Sequence, residues 1–202
     1  MKTKLSIIAL SGLFLLAGCS KEEIDVLEIN PNSNTQILEK SIDGIIFKFY
    51  LTDEEGTPCV LFKKGDDIVF NFTIKNETGV NQLYQQSFLN DNLFRVYRAS
   101  DNRDMGKSWT GWKETFEIRY AYYMSSGLEV VYDCSWQNND TSHFLSMDKT
   151  NPPLPHGDYY TTAYVKFPYM EANESDYTGI GWNGSKAKQI NGPLFRIYFK
   201  VQ

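Results

Sequence analysis

Lys64-Gly65-Asp66-Asp67-Ile68-Val69-Phe70-Asn71-Phe72-Thr73-Ile74-Lys75-Asn76 is the stretch on which the fold turns. Ile68, Phe70, Phe72 and Ile74 share one parity, and Val69, Asn71, Thr73 and Lys75 share the other. A period of two is what a strand with one buried face imposes, because successive side chains leave opposite sides of the backbone. Gly65 before the run and Asn76-Glu77-Thr78-Gly79 after it supply turn chemistry.

The same period recurs on both sides of this stretch. Ile45, Phe47, Phe49 and Leu51 form an inward row, and Leu93 to Ala99 a shorter strand apolar in part on both faces. Phe116, Ile118, Tyr120 and Tyr122 alternate with Glu117, Arg119 and Ala121. Leu128, Val130, Tyr132, Cys134 and Trp136 form the next row. After the rigid Pro152-Pro153-Leu154-Pro155-His156-Gly157 connection come Tyr159, Thr161, Ala163, Val165 and Phe167. The last row is Phe195, Ile197, Phe199 and Val201, with Arg196, Tyr198 and Lys200 outward. No helical stripe interrupts the series, so the pattern predicts an all-β, antiparallel β-sandwich of about 7-9 strands over residues 43–202. Residues 168–193, polar and glycine-punctuated around Trp182, read as a long loop or hairpin.

Aromatic residues make up 15% of the chain, which suits strands and leaves room for an aromatic binding face. The formal charge of −5 becomes −7 once residues 1–18, which hold Lys2 and Lys4 and no acid, are removed. An acidic balance without a basic cluster argues against nucleic acid, whose phosphates need Lys and Arg.

The amino terminus carries a positive head at Lys2 and Lys4 and an apolar run from Leu5 to Ala17. That run is shorter than the ~20 residues a bilayer-spanning helix needs, and fits the core of a signal peptide. Leu16-Ala17-Gly18-Cys19 resembles the bacterial lipobox, which implies cleavage before Cys19 and lipidation of its thiol. Ser20-Lys21-Glu22-Glu23 resembles the export signal of surface lipoproteins of the Bacteroidetes. These resemblances imply an outer-membrane lipoprotein exposed at the cell surface, the alternative being a periplasm-facing one. Residues 19–42 read as a lipidated tether in which Ile37-Leu38 can dock on the domain.

Two further pieces carry a resemblance. The strand 64–76 is similar to the second strand of bacterial immunoglobulin-like domains. Pro155-His156-Gly157-Asp158-Tyr159 is similar to their Pro-x-Gly-x-Tyr signature, whose tyrosine bonds backbone as a corner device. The order of strands and tryptophans also resembles the BsuPI-type proteinase-inhibitor fold, departing from it by insertions around 110–128 and 168–193. The resemblance implies an immunoglobulin-like sandwich, without carrying inhibitory activity across.

No nucleophile motif or phosphate-cradling loop occurs, and the chain shows no catalytic residue, cofactor motif or metal-ligand set. His143 and His156 read as surface or turn residues. Asp101-Asn102-Arg103-Asp104-Met105-Gly106 reads as a turn, because Arg103 and Met105 occupy positions where a calcium loop needs oxygen ligands. Cys59 and Cys134 can pair, closing a loop of about 75 residues, or can sit as small buried hydrophobes; the sequence leaves both open. Trp109, Trp112 and Trp182, in polar or glycine-rich surroundings, are candidate ligand platforms or covers for the sandwich ends. The expected function is a lipid-anchored, non-catalytic binding or accessory domain with a protein or glycan partner. Its alternatives are a carbohydrate-binding accessory lipoprotein and a proteinase inhibitor-like module.

Overall fold

In the computed structural model, which describes residues 24–109, 121–137, 151–176 and 181–202, the chain forms two packed sheets. The smaller is made of β2 (Ile37–Ile42), β3 (Ile45–Thr52), β5 (Val69–Asn76) and β10 (Glu129–Ser135), in the antiparallel order β10-β5-β3-β2. The larger is centred on a long hairpin of β11 (Gly157–Glu171) and β12 (Lys188–Val201). β11 takes β7 (Arg95–Arg98) beside its first half and β6 (Gln82–Tyr84) beside its second. β8 (Asp104–Lys107) and β9 (Tyr122–Met124) extend these outward. On the other flank, β1 (Val26–Ile29) and β4 (Leu61–Phe62) run parallel to β12.

The successive strands β3, β5, β6/β7, β10, β11 and β12 take the places of A, B, C, E, F and G in an immunoglobulin-like sandwich. Twelve strands among the described residues exceed the seven to nine expected from periodicity, since β1, β4 and β8 are too short to alternate visibly. The two parallel pairings also make the larger sheet mixed.

The inward rows meet as their parity requires. Ile45, Phe47, Phe49 and Leu51 are fully buried, as are Phe70, Phe72 and Ile74. Across the gap Phe47 meets Phe167 edge-on at 5.3 Å, and Phe49 meets Phe195 at 6.3 Å. Tyr159 donates its hydroxyl proton to Pro155 O at 2.8 Å, the backbone bond of a tyrosine corner. Leu128, expected inward, is instead 44% exposed, because β10 begins only at Glu129.

The expected tether is shorter than residues 19–42. From Val26 onward the chain is part of the sandwich, with Ile29 and Leu38 buried. β2 and β3 are joined by the two-residue turn Asp43-Gly44, with φ of 52° and 79°. Positive φ at both positions is the type I′ geometry whose twist suits a hairpin, and Asp-Gly is its preferred dipeptide. The sandwich therefore begins before residue 43, which lies in the turn of this hairpin.

Asp67, at the start of the stretch that decides the fold, is buried. One carboxylate oxygen accepts from Ile68 N and Gln137 N, and the other from the Ser135 hydroxyl. This clamps the start of β5 to the end of β10. Asp67→Ala leaves those donors unpaired in a buried place and is expected to cost about 3 kcal/mol. Urea denaturation measures it, with the exposed neighbour change Asp66→Ala expected to cost at most about 1 kcal/mol.

Candidate functional site

Trp109, offered by the sequence as a platform, is core. It is 2% exposed and its indole N–H donates to Leu93 O at 2.9 Å, so the ring closes the sandwich under β7 and β8. Trp136, also buried, donates to Pro152 O. Trp182 is partly buried in the turn after Gly181. Trp112, Cys19 and His143 lie outside the described residues, as does most of the expected strand 116–122.

Cys59 and Cys134 are free thiols. Cys59 N donates to Leu51 O on the outer side of β3, Leu51 faces Phe70, and Phe70 faces Cys134. Three strand spacings of about 4.8 Å put the two cysteines about 14 Å apart, well beyond the ~7 Å a disulfide spans. Burial pushes the Cys59 thiol up to about 11 and the Cys134 thiol up to about 12, so neither is a nucleophile at neutral pH. Among the described residues no three His, Cys, Asp or Glu side chains converge on a metal-binding position.

What the fold does assemble is a row of tyrosines on the outer face of the larger sheet. Tyr97 on β7, Tyr160 on β11 and Tyr198 on β12 are in register on three adjacent strands. Their ring centroids lie 5.1 Å apart for Tyr97–Tyr160 and 5.6 Å for Tyr160–Tyr198. The next outward row is Thr162 and Arg196, then Tyr164 and Leu194. Between the tyrosine row and the Tyr164–Leu194 pair runs a groove of about 590 Å3, floored by Thr162 and Arg196 and walled by Tyr97, Tyr160, Tyr164 and Leu194.

Its end is closed by Asn90-Asp91-Asn92, and local sequence explains how that turn comes to be there. Residues 85–94 interrupt what would otherwise be one strand, so that β6 and β7 both pair with β11 across a loop. Phe88 and Phe94 pin the loop inward, with Phe88 5.0 Å from Phe72 and Phe94 6.1 Å from Phe49. Phe94 holds φ at 59°, a left-handed conformation costly for a bulky residue and sustained here by complete burial. The polar residues between these two anchors are left facing the groove.

The charges of the site are paired. Arg196 Nη1 lies 2.6 Å from Glu28, Lys107 Nζ 2.9 Å from Asp91, and Arg95 Nη1 2.5 Å from Asp104. The Lys107 ammonium holds the Asp91 carboxyl below the usual carboxylate range. The Arg196 guanidinium also lies 5.8 Å over the Tyr160 ring.

A second, larger concavity of about 870 Å3 lies at the pole beside the Asp43-Gly44 turn. Several of its groups bond one another, and the buried Gln82 Oε1 has no hydrogen-bond partner among the described residues. Tyr169 donates to Asp43, Gln82 Nε2 to Thr78 Oγ1, and Glu77 pairs with Lys75.

Sequence reading did not find the tyrosine site. Its signal was present in the outward positions of the strands. Tyr160, Tyr164 and Tyr198 stand at parities where a solvated face ordinarily carries charge, and Tyr97 sits on a strand apolar in part on both sides.

Fold and site together define an all-β sandwich bearing an aromatic groove on one sheet face. No family model matches the chain, and no curated protein or solved structure is similar to it at a significant level.

Proposed function

We propose that this chain is a non-catalytic binding module, lipid-anchored through Cys19 to the outer membrane and displayed at the cell surface. Its binding surface is the outer face of the larger sheet. The observation that carries this reading is the in-register row Tyr97–Tyr160–Tyr198 beside a groove. Tyrosine offers large contact area, a polar tip and few torsions to immobilise, which is why it is enriched where proteins bind. The lipobox resemblance supports the anchor, and the acidic Lys21-Glu22-Glu23 segment supports surface display.

Photocrosslinking in living cells tests the reading. A photoreactive residue replacing Thr162 on the groove floor is expected to give a light-dependent adduct, and one replacing Lys48 on the smaller sheet is not. Equal labelling at the two positions would remove the assignment of a binding face. In the same cells Cys19→Ala is expected to move the protein out of the detergent-rich phase, because losing two or three acyl chains removes the membrane affinity they supply. Continued partitioning with detergent would show that something else holds it.

A further inference from the structure

From the groove's chemistry, and resting on the reading of this face as a binding surface, we infer that the ligand is an uncharged, hydroxyl-rich glycan chain. The first argument is hydrogen bonding. The phenols of Tyr97 and Tyr164, the Thr162 hydroxyl and the Asn92 carboxamide have no hydrogen-bond partner among the described residues. All four border the same groove, all are uncharged, and a hydroxyl or carboxamide can both give and accept a proton. A ligand studded with hydroxyls, each also donor and acceptor, matches such a set.

The second argument is charge. The two charged side chains that line the groove, Asp91 and Arg196, already face opposite charges at 2.9 and 2.6 Å. A neutral ligand leaves these pairs intact, whereas a charged one competes with them.

The third argument is shape. A concavity of about 590 Å3 lies in the range of small-ligand sites, roughly 300–1,000 Å3. A stable protein partner instead requires about 800 Å2 of complementary surface. The rings of Tyr160 and Tyr164 and the methyls of Leu194 supply apolar walls against which the C–H faces of a sugar can pack.

A glycan array probed with the full-length lipidated protein in detergent micelles tests the inference. It should carry neutral and acidic polysaccharides, each tested at low and high salt. Wild type is expected to bind one or more neutral chains, with affinity changing less than about twofold between about 0.05 M and 0.5 M salt, since no unscreened charge pair forms. Tyr164→Phe and Thr162→Val, which keep shape and lose one hydroxyl each, are expected to weaken binding roughly fivefold each. Tyr160→Ala is expected to weaken it by more than about tenfold. The circular dichroism of all three variants should match wild type.

Preference for acidic chains, or neutral-chain binding unmoved by all three variants, would overturn the inference. So would absence of any glycan binding. If that absence came with a Thr162 photo-adduct to a protein in cells, the glycan assignment would fail while the binding face stood. With equal adducts at Thr162 and Lys48, both would fall.

Discussion

Replacing Phe72 by alanine is expected to lower the unfolding free energy by about 4 kcal/mol, the cost of emptying an aromatic site in a packed core. Phe72 lies on β5, the inner strand between β3 and β10, opposite Phe49 on one side and Tyr132 on the other. Its ring packs at 6.3 Å on Phe47 and 5.0 Å on Phe88, and it is fully buried. The smaller sheet and the loop that closes the groove both lean on it, so little collapse can fill the space. Urea denaturation of Phe72→Ala should show a lower midpoint with an unchanged slope. Lys48→Ala, on the outer face of β3, should stay within about 0.5 kcal/mol of wild type. Equal effects from the two changes would contradict the assignment of inner and outer faces. Because Phe72 holds Phe88, and Phe88 helps to seat residues 90–92, the variant should also loosen the groove below its melting transition.

Alkaline conditions are expected to unfold the protein between about pH 9 and pH 12. Cys134, Tyr84 and Tyr132 are buried, and burial raises each acid because the charged form would lose water. The Tyr84 and Tyr132 hydroxyls share a hydrogen bond of 2.7 Å, and Gln86 donates to Tyr132. Acids whose folded value lies above the unfolded one stabilise the protein fully while protonated. That stabilisation disappears as pH climbs from the ordinary values of 9.0 for the thiol and 10.0 for the phenols towards the folded ones. For Cys134, raised from 9.0 to about 12, the loss reaches roughly 3 kcal/mol by about pH 11 at about 1.4 kcal/mol per pH unit. Chemical denaturation at pH 8 and pH 11 measures the change. The double variant Cys134→Ala, Tyr132→Phe should start less stable at pH 8 and lose less on going to pH 11. Stability unchanged at pH 11 would mean that water already reaches these groups.

Much of this architecture follows from parity along the chain. A strand that buries one face must place apolar residues at every second position, so Ile45 to Leu51, Ile68 to Ile74 and Phe195 to Val201 announce both strand and inner face. The tyrosine corner was legible for the same local reason, since Tyr159 and Pro155 lie four residues apart. Short strands escaped because two to four residues cannot show a period. β2 is obscured in the sequence by the polar segment 30–35 before it, although Asp43-Gly44 between apolar runs is a strong hairpin signal.

The site belongs to the other category. Periodicity says that Tyr160 and Tyr198 point away from the core, but only sheet register brings them beside Tyr97, 63 positions earlier in the chain than Tyr160. Trp109 failed as a platform because its polar neighbours describe the chain around it and not the ring. The indole found a carbonyl at Leu93 and a gap in the core to fill. Local sequence thus determined which residues turn inward, because backbone pleating enforces that at each step. Which outward residues become neighbours, and which charges cancel one another, was decided only when strands distant in the chain were paired, because hydrogen-bonded register is a property of two segments and is written in neither alone.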